Sequence, residues 1–202
     1  SSDLKGIKES KNARLCLYGP AGTGKSAYAK FIAKSLNSKL IIKKASDLID
    51  CYAGNTEKNI ANAFKQASEQ NAVLVFDEID SFLQDRNKAI RSWEITQVNE
   101  MLVQMEGFDG VFIATTNLMD SLDRTSIRRF DMKVGFGYMY GTQAAKLLQK
   151  ECECESLGLS VDKTAKNSVA KIKFLTPGDF AAVARLAKFS PILNASEFID
   201  RL

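Results

Sequence analysis

The chain has 202 residues, 45% of them apolar, and carries 28 basic against 24 acidic side chains for a net charge of +4. That length fits a main domain with a smaller appendage, the mild charge gives no direct nucleic-acid signal, and no apolar run approaches the ~20 residues of a membrane span. Histidine is absent, and Cys16, Cys51, Cys152 and Cys154 form no C-x-x-C pair, so zinc and histidine-triad chemistry find no support and reduced thiols in a cytoplasmic setting are expected.

Residues 1–13 are polar, open with Ser1-Ser2 and show no clear period, which reads as an N-terminal extension or linker. Leu15, Cys16 and Leu17 then form a short strand that runs into Gly19-Pro20-Ala21-Gly22-Thr23-Gly24-Lys25-Ser26. This matches G-x-x-x-x-G-K-[ST] at every fixed position. Such a loop turns successive backbone N–H groups onto a phosphate chain and feeds a helix whose N-terminus carries partial positive charge. Lys25 is placed to reach the β- and γ-phosphates, and Ser26 to ligate Mg²⁺. A glycine-rich turn is the competing explanation; the strand before it and the helical spacing of Ala27, Phe31, Ile32 and Leu36 after it favour the phosphate loop.

A helix over residues 27–36, a strand from Leu40 to Lys43, a loop through Cys51 to Asn55, and a helix from Glu57 to Glu69 capped by Thr56 continue the βα alternation. Val73 to Phe76 is a continuous apolar run of β formers that ends in Asp77-Glu78. A strand buried on both faces delivers two carboxylates to its carboxyl edge in this way. Asp77 is expected to hold Mg²⁺, directly or through water, and Glu78 to orient and polarise an attacking water. Residues 81–92 are polar and irregular, and Trp93 to Glu106 reads as an amphipathic helix. Val111 to Ala114 is a fourth strand, with Asn117 beyond its end as a second candidate for orienting the water, a turn asparagine being the alternative.

Met132, Val134 and Phe136 alternate as a fifth strand. From Gly141 the pattern becomes helical, with Gly158 as a stop, and Thr176-Pro177-Gly178-Asp179 opens a later helix with a cap, a first-turn proline and an acid three residues on. The expected fold is α/β: a P-loop NTPase core with a five-stranded parallel sheet between helices over residues 14–140, then a small all-helical lid over residues 141–202.

Taken together, Gly19 to Ser26, Asp77-Glu78, Asn117 and Arg128-Arg129 resemble the AAA+ superfamily, in particular the AAA clade that includes katanin and spastin. The similarity runs from about Arg14 to Phe189 and is closest to bacterial AAA-family ATPases of unassigned role, through Val73 to Arg86, Arg91 to Met105 and Leu175 to Arg185. The resemblance implies Mg²⁺-dependent ATP hydrolysis in a ring, most often a hexamer, acting on a macromolecular client, with polypeptide favoured. It implies that Arg128 and Arg129 act on nucleotide held by the neighbouring subunit, a task suited to an always-charged planar fork. It further implies that Tyr52-Ala53-Gly54 is a first pore loop gripping the client, that Arg86 to Trp93 is a second, and that Gly178 is a small residue packed near the nucleotide. Only a short piece of the segment that packs on adenine in relatives precedes Arg14, so the chain reads as an ATPase module of a longer protein. Rival readings are a P-loop kinase, a nucleotide-gated binding module and a clamp-loader-like protein; Tyr52-Ala53-Gly54 and the mild charge speak against the last.

Overall fold

The computed structural model describes residues 2–50, 52, 54–81, 92–117, 124–154 and 157–202. The chain falls into two compact units, one of residues 1–19 with 25–135 and one of residues 20–24 with 136–202.

In the first unit five strands, β1 (Ala13–Tyr18), β2 (Leu40–Lys44), β3 (Val73–Asp77), β4 (Val111–Thr116) and β5 (Met132–Gly135), form one all-parallel sheet in the order β2-β3-β4-β1-β5. This is the five-stranded parallel sheet expected from the βα alternation. β4 is buried at every position and β3 at every position but its last, as a central strand with both faces covered requires. The register sets Leu15 opposite Ile113, and Val75 opposite the same Ile113 from the other side.

Helices α2 (Lys25–Ser35), α4 (Asn55–Glu69) and α5 (Ser92–Gly107) supply much of the cover. Phe64 of α4 meets Phe76, Phe108 and Phe112 at ring-centroid distances of 5.3, 5.4 and 5.1 Å. Such offset and edge-on contacts add to what area burial alone contributes.

Several local expectations are corrected. Residues Ser2–Ser10 form a helix, α1, with Ile7 buried, although one apolar turn in a polar run shows no period. Ala45–Leu48 forms a short helix, α3, to which the sequence reading assigned no element. Thr56 does not cap α4: Gly54, at φ 81°, is the N-cap. The Thr56 hydroxyl, fully buried, instead accepts from the Asp50 N–H at 2.9 Å and so ties down the loop before the helix.

The second unit is helical beyond residue 140: α7 (Gly141–Cys152), α8 (Lys163–Val169), α9 (Pro177–Leu186) and α10 (Ala195–Asp200), α6 being Arg124–Ile127 of the first unit. Its core gathers Leu148, Val169, Phe180 and Phe198. Gly158 does not stop α7, which ends at Cys152; its N–H closes a separate turn onto the Cys154 carbonyl at 2.8 Å. The helices α8 and α10 have no counterpart in the sequence reading. They begin at Asp162, which accepts from Ala165 N–H at 2.7 Å, and Asn194, which accepts from Glu197 N–H at 2.9 Å.

Candidate functional site

The chemistry-bearing residues of the first unit collect at the carboxyl ends of β1, β3 and β4, the edge where parallel sheets place their ligands. β1 hands the chain to Gly19, whose N–H donates to the Thr116 carbonyl at 3.2 Å. Lys25 opens α2 and is only 7% exposed. Its ammonium donates to the Gly19 carbonyl at 2.7 Å and to Asn117 Oδ1 at 2.8 Å. Burial pulls the Lys25 pKa below its ordinary value, while the nearby carboxylates of Asp77, Asp80 and Glu78 push the other way.

One residue on, the Ser26 hydroxyl lies 3.1 Å from both carboxylate oxygens of Asp77. The Thr115 hydroxyl also donates to Asp77. Glu78 has its side chain exposed and its backbone at φ 60°, a left-handed conformation that costs a residue with a Cβ roughly 1 kcal/mol or more. Its N–H is held by Thr115 Oγ1 at 3.1 Å. Asp80 accepts from the Thr116 hydroxyl and from the Asn117 N–H, the latter at 3.2 Å.

Of the residues singled out in the sequence, Lys25 is thus paired with Asn117 and Ser26 with Asp77. Thr115, Thr116 and Asp80 were not singled out. Asp80 stands three residues after Asp77, the one trace it left in the sequence. The Ser26 hydroxyl and the Asp77 carboxylate make a hard-oxygen pair that suits Mg²⁺, which keeps several waters and takes few protein ligands. Among the described residues no cluster of three or more acidic, cysteine or histidine side chains competes as a metal site.

In the second unit, Pro20 to Gly24 form a compact turn closed by the Thr23 hydroxyl on the Pro20 carbonyl at 2.8 Å. Ala21 and Gly22 are exposed, and Gly22 and Gly24 take φ of 76° and 96°, conformations that glycine alone adopts freely. The Gly178 N–H donates to the Gly22 carbonyl at 2.9 Å, and a Cβ on Gly178 would stand 2.8 Å from the Gly22 Cα. Thr176 and Asp179 fix the start of α9: the Asp179 carboxylate accepts from the Thr176 N–H at 2.8 Å and from its hydroxyl at 2.9 Å.

Arg128 and Arg129 lie in the turn after α6, anchored below by Phe130, which is 2% exposed. Arg128 is exposed, and Arg129 donates to Glu106 Oε1 at 2.6 Å. Tyr52 is 72% exposed next to the Gly54 cap, its N–H held by Asp50 Oδ1 at 2.9 Å. Ala53 lies outside the described residues, as does the expected second pore loop as far as Arg91, after which Ser92 and Trp93 open α5. Among the described residues no helix is long and apolar enough to cross a membrane.

Residues 15–138 match the family described as "ATPase family associated with various cellular activities (AAA)". The chain is 30% identical over 188 residues to vacuolar protein sorting-associated protein 4 of Dictyostelium discoideum, an alignment covering 88% of this chain and 41% of that protein. It is also 30% identical over 187 residues to spastin of Drosophila virilis, covering 88% of this chain and 24% of that one. The chain thus spans less than half the length of these relatives. A solved structure, the FIGL-1 AAA domain in complex with ADP, superposes with a TM-score of 0.74 over 95% of this chain and 70% of that chain at 19% identity, which is a likeness of fold. With the family match covering well over half of the sequence and the same sheet underneath it, this chain belongs to the AAA family of ATPases.

Proposed function

We propose that this chain binds ATP and hydrolyses it by in-line attack of water on the γ-phosphate, and that it does so as one subunit of a ring, a hexamer, that remodels or threads a polypeptide. The observation that supports the reading is the presence at one sheet edge of two hydrogen-bonded pairs, Lys25 with Asn117 and Ser26 with Asp77. Gly19 to Ser26 cradle the phosphates, and Lys25 exchanges its Asn117 contact for phosphate oxygens. Ser26 and Asp77 hold Mg²⁺, which when bound neutralises charge that develops on the phosphates. Glu78, exposed on a fixed left-handed backbone, accepts the hydrogen bond of the attacking water. Asn117 orients the γ-phosphate or that water, and Gly178 contributes its close approach to Gly22.

Arg128 and Arg129 act on the nucleotide of the neighbouring subunit. A finger of this kind contributes roughly 10³ to 10⁵ in rate in GTPases. Tyr52, Ala53 and Gly54 present an aromatic ring to the client, supported by the exposure of Tyr52. Residues 14–140 serve as the nucleotide-binding domain and residues 141–202 as a helical lid, with residues 1–13 as an N-terminal extension or linker.

The test is ATP turnover and ATP retention in Glu78→Gln beside Lys25→Ala. Glu78→Gln is expected to retain bound ATP while hydrolysis falls by about 10² or more, and Lys25→Ala to lose binding. Ordinary turnover in Glu78→Gln would sink the assignment.

A further inference from the structure

The turn that carries the two arginines is held from three sides within the first unit. From below, Phe130 is buried and the Arg129 N–H donates to the Ser126 carbonyl at 3.2 Å. From β1, Arg14 and Asp131 exchange two bonds: the Arg14 N–H donates to Asp131 Oδ2 at 2.8 Å and the Asp131 N–H to the Arg14 carbonyl at 2.9 Å. From α5 comes Glu106, whose carboxylate takes the Arg129 guanidinium. The Arg14 guanidinium closes the circuit, donating to the Met105 and Glu106 carbonyls at 2.9 and 3.0 Å. Those are carbonyls that the end of a helix leaves without intrahelical donors, at its electronegative pole.

The two arginines are consequently unlike. Arg128 is exposed and has no ion pair within the described residues, whereas Arg129 is tethered through one terminal nitrogen. A guanidinium has five N–H groups in a rigid fork. Holding Nη1 leaves the other edge of the fork available to an anion and fixes the direction in which it points. As a pair in solvent the contact adds little to folding stability, so its placement at the end of α5 serves orientation.

We propose that Glu106 is a positioning residue for Arg129: its carboxylate aims the guanidinium at the nucleotide of the neighbouring subunit, and Arg14 keeps the end of α5 in place so that it can. This rests on the reading that Arg129 acts in trans. Displacing a reacting group by about 1 Å can cost up to 10² in rate, and losing one of several constraints on a side chain costs less.

The experiment measures ATP hydrolysis at protein concentrations where wild-type specific activity has levelled off, for Arg129→Ala, Glu106→Ala and Glu106→Gln. ATP-dependent assembly is followed for each in a Glu78→Gln background by sedimentation velocity. Glu106→Ala is expected to lower kcat about tenfold with KM for ATP within about twofold. Glu106→Gln, which keeps an oxygen acceptor for Arg129, is expected to recover most of that loss. If Arg129→Ala lowers kcat or assembly while Glu106→Ala changes neither, the positioning role is wrong and the trans reading survives. If Glu106→Ala and Glu106→Gln both raise kcat, Glu106 restrains Arg129 and the proposal is overturned. If Arg129→Ala is itself silent in both measurements, the trans reading falls and this proposal with it.

Discussion

Lys25 Nζ and Asn117 Oδ1 stand 2.8 Å apart, which joins the first residue of α2 to the residue that follows β4. A phosphate group entering here meets an ammonium and an amide already aligned. Replacing Asn117 by Ala leaves Lys25 its Gly19 contact, so nucleotide affinity should change by no more than a few-fold. Turnover should fall by about 10². Phosphate release set against binding of a fluorescent ADP analogue separates the two effects, and an equal loss in both would assign Asn117 to binding alone.

Asp80 makes a second prediction. Its carboxylate takes the Thr116 hydroxyl and the Asn117 N–H, so it sets the backbone from which Asn117 projects. Asp80→Ala should lower kcat about tenfold while Asn117→Ala in the Asp80→Ala background costs much less than it does alone. Full additivity of the two changes in a double-mutant cycle would show that they act independently.

At Gly178 the expectation is steric. A methyl group there would stand 2.8 Å from the Gly22 Cα and 3.2 Å from the Gly22 carbonyl oxygen, both backbone atoms. Gly178→Ala should therefore weaken ATP binding roughly tenfold through the phosphate loop, and Gly178→Val more. Titration of the variants with ADP reads this directly; wild-type affinity in Gly178→Val would mean that the loop and α9 yield freely.

Alkaline pH offers a prediction for the core. Burial pushes the Cys16 thiol up from its usual 9.0 to about 11, with Lys133 opposing and Asp80 assisting. The unfolded thiol ionises first, so between pH 9 and 11 the unfolded chain binds fewer protons than the folded one and stability declines as pH rises. For this one group the loss amounts to at most about 2.7 kcal/mol. Urea unfolding of wild type and Cys16→Ala from pH 8 to 11 should give a shallower decline in the variant, and parallel curves would refute it.

What the sequence displayed was whatever depends on neighbours along the chain. The apolar run Val73 to Phe76 and the fixed positions from Gly19 to Ser26 are legible because burial on both faces and phosphate cradling each impose a pattern on consecutive residues. Thr115, Thr116 and Asp80 escaped because their partners lie across strands, more than thirty residues away, and a threonine at a strand end carries no mark of the carboxylate it will meet. Thr56 was misread as a cap for a related reason. Its hydroxyl has the right chemistry for that role, but Gly54 in the left-handed region starts the helix, and Asp50 takes the hydroxyl. Seven-residue α8 and six-residue α10 are under two turns each, too short for a 3.6-residue period to declare itself.

The two recognisable motifs do not touch in the sheet, because β4 lies between the strand that leads to one and the strand that ends in the other. At about 4.8 Å per strand, β1 and β3 are held some 9.6 Å apart by a segment with no signature of its own. That makes β4 a template as well as a spacer: Thr115 serves the Asp77 side and the Thr116 carbonyl serves Gly19. A single residue inserted within Val111–Thr116 would slide these groups along the sheet by about 3.3 Å and turn their side chains to the opposite face. Such a chain would keep both motifs letter for letter and lose the bonds that β4 makes to each of them.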